Sequence, residues 1–138
     1  MSDDVILCLV EKAIEVRKMA YVPYSKFKVG AALLAADGSI FAGCNVENAA
    51  FAPGNCAERT AFFTAIAHGV RKFKAIAVVG GAGDNLAENC FPCGVCRQVM
   101  MEFCDKDFVI IVAQSTEKWS RHTLAELLPH GFGPNNLE

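Results

Sequence analysis

The sequence lacks any apolar run approaching the roughly 20 residues that cross a bilayer. It also lacks a cluster of lysine or arginine, and its formal net charge is −2. A nucleic-acid surface normally needs such a cluster, so a small-molecule substrate is favoured. The opening Met1-Ser2-Asp3-Asp4 is acidic and without the basic start of a secretory signal. No repeat and no linker-like stretch interrupts the chain. Residues 1–138 are therefore expected to form one domain with room for one real core. Histidine is scarce: His68, His122 and His130 are the full set, and none has ligand spacing.

Cysteine and apolar side chains are plentiful by comparison. There are seven cysteines, an odd number, with no export signal beside them. A disulfide framework is disfavoured, and a reducing cytoplasm with metal-bound and buried thiols is expected. Hydrophobic residues make up 53% before the 11 glycines are counted. Average globular usage is about 45–50% with glycine included. The surplus exceeds what one small domain can hide, which predicts an oligomer.

The order of elements follows from periodicity. Asp4 to Ala20 reads as an amphipathic helix, with Leu9, Ala13, Val16 and Ala20 at helical spacing. Pro23 breaks it. Val29–Leu34 and Ile40–Asn45 flank Asp37-Gly38, a hairpin signal, and the small residues of the first strand predict a helix lying close against it. Residues 46–55 form a loop. Cys56 to His68 reads as a buried helix capped by Gly69, and Phe73 to Val79 as a strand ended by Gly80-Gly81. Residues 82–92 are a second loop, and Gly94 to Phe103 is a helix. Phe108 to Ala113 is a continuous apolar strand, of the kind covered on both faces. Lys118 to Arg121 adds a short edge strand. Thr123 and Glu126 fit a capping box opening a last short helix through Leu128. Helices alternating with strands predict a three-layer α/β/α sandwich on a mixed five-stranded sheet.

Two stretches carry the chemistry: Asn55-Cys56-Ala57-Glu58-Arg59-Thr60 and Phe91-Pro92-Cys93-Gly94-Val95-Cys96-Arg97-Gln98. Each puts thiols at the start of a helix, where the partial positive charge of the N-terminus favours thiolate. Cys93 and Cys96 lie one turn apart and can face one ion. Cys56 supplies a third sulfur. Glu58, two residues on, does not share its face of the helix. It can sit beside an ion without binding it. Three protein ligands, an open position and a nearby carboxylate make up a hydrolytic zinc site. Three thiolates on Zn²⁺ leave a net negative centre, so their charge must be screened. Arg59 and Gln98 are the candidates to donate to a thiolate. Cys90 is evenly spaced with Cys93 and Cys96, and as a fourth ligand it would close the site. Phe91-Pro92 separates it from the helix start, and Cys56 would then leave Glu58 without a task. Cys8, Cys44 and Cys104 read as core. On spacing alone, a turn cap with a solvated charge accounts for Asn45 and Glu47 as well as a binding role does.

Cys56-Ala57-Glu58-Arg59 followed by Pro92-Cys93-x-x-Cys96-Arg97-Gln98 resembles the zinc-dependent cytidine deaminases, in their short-chain form. The likeness extends over Pro23–Ala32, Gly43–Ala49, and Glu126–Pro129 with Phe132 beyond. Asn45-x-Glu47-Asn48 resembles the branch acting on free nucleosides. The resemblance implies zinc on Cys56, Cys93 and Cys96, and hydrolytic attack at C4 of cytosine. Glu58 would take the water's proton, pass it to N3 and protonate the leaving ammonia. It implies Asn45 and Glu47 on the ribose hydroxyls, the amide of Ala57 on the base carbonyl, and Phe27 and Phe132 against the nucleoside. Ala49 and Phe51 belong to the same substrate-binding set. It also implies a homotetramer in which Phe132 comes from another subunit, and a place in cytoplasmic pyrimidine salvage. Two residues depart from the pattern. Phe51 stands where relatives usually carry tyrosine, and Phe91 where they carry a small serine.

Other readings differ in what they require. A deaminase of a cytosine-nucleoside antibiotic such as blasticidin S shares both thiol segments but lacks the Asn-x-Glu-Asn element. A non-catalytic zinc-stabilised interaction domain needs four protein ligands and tolerates loss of Glu58. A thiol redox protein using Cys93 and Cys96 holds no zinc.

Overall fold

A computed structural model describes residues 1–138. The elements are α1 (Asp3–Arg17), β1 (Phe27–Ala35), β2 (Ile40–Cys44), α2 (Ala57–Ala67), β3 (Phe73–Ala82), α3 (Gly94–Phe103), β4 (Val109–Ala113), β5 (Trp119–Thr123) and α4 (Leu124–Leu127), then a 3₁₀ turn at Pro134–Leu137. The strands form one sheet in the order β2-β1-β3-β4-β5. Only β3 and β4 run parallel, Ala75 opposite Val109, because the chain crosses between them through α3. The other neighbours are antiparallel, so the sheet is mixed.

Alternation along the strands divides the core in two. Leu33, Ile76, Val78, Ile110 and Val112 face α2 and α3, meeting Phe62 and Met100. Ala32, Ala77, Val79, Ile111 and Ala113 face α1, meeting Ile6, Leu9, Val10 and Ala13. β4 thus sends Ile110 and Val112 one way and Ile111 the other, which is why it reads as an unbroken apolar run. The result is the expected three-layer sandwich. Phe62 anchors the α2 side, edge-on to Phe73 at 5.1 Å between centroids.

Helix and sheet approach closely where glycine leaves room. A Cβ on Gly43 would lie 2.5 Å from the Ala61 nitrogen and 2.6 Å from the Ala57 oxygen, both α2 backbone. A Cβ on Gly30 would meet the Ala13 carbonyl and lie 2.9 Å from the Arg17 nitrogen of α1. These contacts set the depth at which both helices sit.

Four boundaries differ from expectation. α1 ends at Arg17, so Ala20 lies beyond it and Val16 is only half-buried; the buried stripe is Ile6, Leu9, Val10, Ala13 and Arg17. β1 starts at Phe27, two residues early, because Phe27 and Lys28 pair with Ala82 and Gly81. Gly80 and Gly81 lie inside β3 rather than ending it. A Cβ at Gly81 would meet the Asn85 carbonyl, so the loop folding back over the strand demands glycine there. β5 runs to Thr123, which also caps α4 in a full capping box, with no residue between strand and helix.

Candidate active site

The two thiol-bearing segments meet at one end of the sheet. Cys56 is the N-cap of α2 and Cys93 the N-cap of α3, both in extended conformation. Cys96 lies in the first turn of α3 and is buried. The three Sγ atoms all lie within 4.8 Å of one another, Cys56 and Cys93 being 3.8 Å apart. Cys93 Sγ also accepts from the Cys96 backbone N–H at 3.5 Å. This donor set fits a zinc ion. It consists of three soft ligands at two helix N-termini, where partial positive charge offsets thiolate charge. Cys90 is not among them. It is half-buried behind the β3 strand, its Sγ against the open side of Gly80, and burial pushes its thiol up to about 12.

Arg59 provides the charge the cluster calls for. Its Nη2 donates to Cys56 Sγ at 3.1 Å, while its Nε is buried without a partner. The Cys56 thiol lies well below the usual range. The hydrogen bond from Cys96 is the largest cause and the Arg59 guanidinium adds to it, while burial works against both. The Cys96 thiol is raised, because it donates to Cys56 and because it is buried. Gln98 does not share this task. It is exposed, and its Nε2 donates to the Phe132 carbonyl at 2.7 Å instead of to a sulfur. That acceptor lies 34 residues further along the chain, beyond the reach of a spacing argument.

Glu58 is 4% exposed, in the first turn of α2. Burial pushes its carboxyl up to about 7; the nearby Cys56 raises it further, while its own backbone N–H and Arg59 pull it down. A buried glutamate with no salt bridge is costly in a structural role. Near neutral pH it is poised between its two protonation states, as a proton carrier must be. Ala57 precedes it at the first helical position, fully buried, where its N–H has no acceptor within α2.

Beside the thiols opens a cavity of about 520 Å³ walled by Tyr24, Asn45, Glu47, Phe51, Cys56 and Arg59, among others. Asn45 is pinned. Its Oδ1 accepts from the Val29 N–H at 2.8 Å and its Nδ2 donates to the Phe27 carbonyl at 2.9 Å. Glu47 Oε1 accepts from the backbone N–H of Tyr24 and of Ser25, each at 3.1 Å. Hydrogen bonding by the Ser25 side chain, then by the backbone of Ser25 and of Tyr24, holds its carboxyl below the usual range. Glu47 thus caps the turn after Pro23 and keeps Oε2 free. Phe51 is 83% exposed and sits in the left-handed region at φ 62°. That conformation is uncommon for a bulky residue.

The remaining expected residues are spread more widely. Phe27 is half-buried at the start of β1, its ring edge close to Gly80. Ala49 is exposed in the loop after β2. Phe132 is 59% exposed, lies beyond α4 and does not line this cavity. Phe91 turns its ring to His122 of β5, 5.0 Å between centroids. Arg17 escaped the sequence reading altogether. It is buried and bonded to three backbone carbonyls, one of them adjacent to Asn45's partners. The available signal was a cation on the stripe that buries Ile6, Leu9 and Ala13.

A family model described as the cytidine and deoxycytidylate deaminase zinc-binding region matches residues 5–112. The chain is similar to the cytidine deaminase of Sporosarcina psychrophila, 48% identical over 94% of this chain and 92% of that protein. It is also similar to the cytidine deaminase of Halalkalibacterium halodurans, 47% identical over 94% and 95%. Among solved structures, a cytidine deaminase from Burkholderia pseudomallei superposes with a TM-score of 0.79 at 46% identity, covering 91% of this chain and 97% of that one. With sheet, thiol cluster and sequence all in agreement over nearly its whole length, the chain belongs to the zinc-binding cytidine and deoxycytidylate deaminase family.

Proposed function

We propose that residues 1–138 act as one catalytic domain for the hydrolytic deamination of cytidine and 2′-deoxycytidine. The products are uridine or 2′-deoxyuridine and ammonia, which places the enzyme in cytoplasmic pyrimidine salvage. The observation that carries this reading is the buried Glu58, balanced between protonation states beside three convergent thiols.

Cys56, Cys93 and Cys96 would hold the zinc ion, which when bound would supply the Lewis acidity that activates water near neutral pH. Glu58 accepts a proton from the attacking water and delivers it to N3 of the ring; it then takes the second proton from the hydroxyl now on C4, which becomes the carbonyl, and gives it to the amine that leaves as ammonia. Its burial matters here, because a carboxylate of ordinary acidity would be too weak a base to take the water's proton, whereas one near neutrality can both accept and release it. Arg59, through its 3.1 Å contact with Cys56, withdraws thiolate charge that would otherwise weaken the metal's pull on water. The Ala57 N–H donates to the base carbonyl.

Asn45 and Glu47 take the ribose hydroxyls with the capacity their backbone partners leave spare. This distinguishes the nucleoside reading from that of an antibiotic deaminase. Ala49 and Phe51 contribute to the wall, with Phe51 offering no hydroxyl there. Phe27 packs against the nucleoside from within the protomer. Phe132, turned outward, serves the site of a neighbouring subunit in a homotetramer.

The test combines zinc analysis of the purified protein with ultraviolet assays on cytidine, 2′-deoxycytidine and blasticidin S. One zinc per subunit with turnover of the two nucleosides is expected. Turnover of blasticidin S alone, or full nucleoside turnover without zinc, would overturn the proposal.

A further inference from the structure

Arg17 is the last residue of α1 and is 8% exposed. Its position continues the stripe of Ile6, Leu9, Val10 and Ala13, where an apolar side chain would satisfy packing. A cation there must instead find acceptors for its buried donors. It finds no carboxylate. Nε donates to the Lys28 carbonyl at 2.9 Å, and Nη2 donates to the carbonyls of Gly81 at 2.7 Å and Gly83 at 2.6 Å.

The Lys28 carbonyl and the Val29 N–H belong to one peptide group. The carbonyl end receives Arg17, while the N–H end donates to Asn45 Oδ1 at 2.8 Å. Hydrogen bonds in such a chain polarise one another, and a charged donor at its head strengthens every later member. The Arg17 charge therefore makes the Val29 N–H a stronger donor. That bond and the one from Nδ2 to the Phe27 carbonyl fix which way the Asn45 amide faces. Reversed, Nδ2 would oppose a donor and Oδ1 an acceptor. One Nδ2 hydrogen and one Oδ1 lone pair remain for the cavity that Asn45 lines.

We propose that Arg17 is a positioning residue for substrate sugar recognition, acting through the Lys28–Val29 peptide to orient and polarise the Asn45 amide. The ligand class it serves is nucleosides carrying ribose hydroxyls, a claim that rests on the role of Asn45 proposed above. Arg17 touches no substrate, so its loss acts on sugar binding and leaves the chemical step alone.

The experiment measures KM and kcat for cytidine and for 2′,3′-dideoxycytidine in wild type, R17K, R17Q and N45A, and in the R17K/N45A pair. R17K is expected to raise KM for cytidine up to about tenfold, the worth of one weakened hydrogen bond, with kcat and zinc content unchanged. KM for dideoxycytidine stays near wild type, and in the N45A background R17K adds less than about twofold, because the two residues act as one unit. Equal losses on both substrates, or additive losses in the pair, reduce Arg17 to a structural residue and overturn the proposal. R17Q removes the charge outright and is expected to lose more than R17K on cytidine alone. Should the variants not fold, wild-type protein labelled with ¹⁵N answers the question. The Arg17 Nε–H resonance shifts when uridine binds and stays put with 2′,3′-dideoxyuridine; no difference between the two overturns the proposal. A wild type inert toward cytidine would instead reject the function itself, a result separable from all of these.

Discussion

At the residue scale the decisive group is Glu58. Glu58→Gln is expected to keep its zinc and lose at least about 10²-fold in kcat, the lower end for a missing acid–base group. Single-turnover assays beside metal analysis check this; near wild-type turnover would remove Glu58 from its role. The same variant tests the cause of the raised carboxyl. An unfolded glutamate titrates near 4.5, and burial holds Glu58 to about 7. The folded state thus binds the extra proton between those values. Stability contributed at this position falls as pH rises from about 4.5 to about 7 and is level above, a loss of about 3 kcal/mol. Glu58→Gln carries no such penalty. In zinc-free, reduced protein its gain in stability over wild type should be small near pH 5 and largest near pH 8. Urea titrations at both values measure it, and an equal gain at both would contradict burial as the cause. Arg59 makes a separate prediction. Without its guanidinium the Cys56 thiol becomes less acidic, so protons compete better with the metal. Arg59→Ala should release zinc at a higher pH on acidification, followed with a chromogenic chelator. An unchanged release curve would show that Arg59 does not screen the cluster.

At the scale of elements, the site depends on how deeply α2 is seated. Gly43→Ala forces a methyl group against backbone of Ala57 and Ala61, which cannot give way as a side chain can. Overpacking of this kind costs roughly 1–3 kcal/mol. The shift also displaces the first turn of α2, so zinc affinity should fall along with the melting temperature. Thermal unfolding and zinc titration of the variant check both. Much of this layer was legible in sequence. The uninterrupted apolar run of β4 announced its two covered faces, and Thr123 with Glu126 announced the capping box. Asp37-Gly38 announced the hairpin, with Gly38 at φ 92° and Asp37 bonded to the Ser39 N–H. Such signals are local, carried by residues that touch. What escaped was set by distant partners. Gly80-Gly81 resembles a strand end, yet it stays in β3 because Asn85 folds back onto it. Arg17 resembles an ordinary last-turn cation, and its acceptors lie up to 66 residues away. Gln98 had a thiolate as its expected acceptor, and a carbonyl from beyond α4 takes that place.

At the scale of the whole molecule, Phe51 and Phe132 stand 83% and 59% exposed on a single protomer. In the homotetramer proposed above, rings left so open are the ones a neighbouring subunit would cover. If Phe132 serves a neighbour's site, two crippled proteins should repair each other. Phe132→Ala subunits keep Glu58, and Glu58→Gln subunits keep Phe132. Subunits mixed, unfolded and refolded together should turn over cytidine faster than the sum of the parents refolded apart. Sedimentation should give tetramers throughout. No gain on mixing would assign Phe132 to its own protomer. The Arg17 contacts join α1 to both central strands and carry one last consequence. All three of their acceptors are main-chain oxygens, which every amino acid possesses. Descendants of this chain are free to exchange the side chain of Lys28 without loosening the grip. Position 17 enjoys no such liberty, and neither does position 81, so mutational drift at this corner should collect between them and spare both.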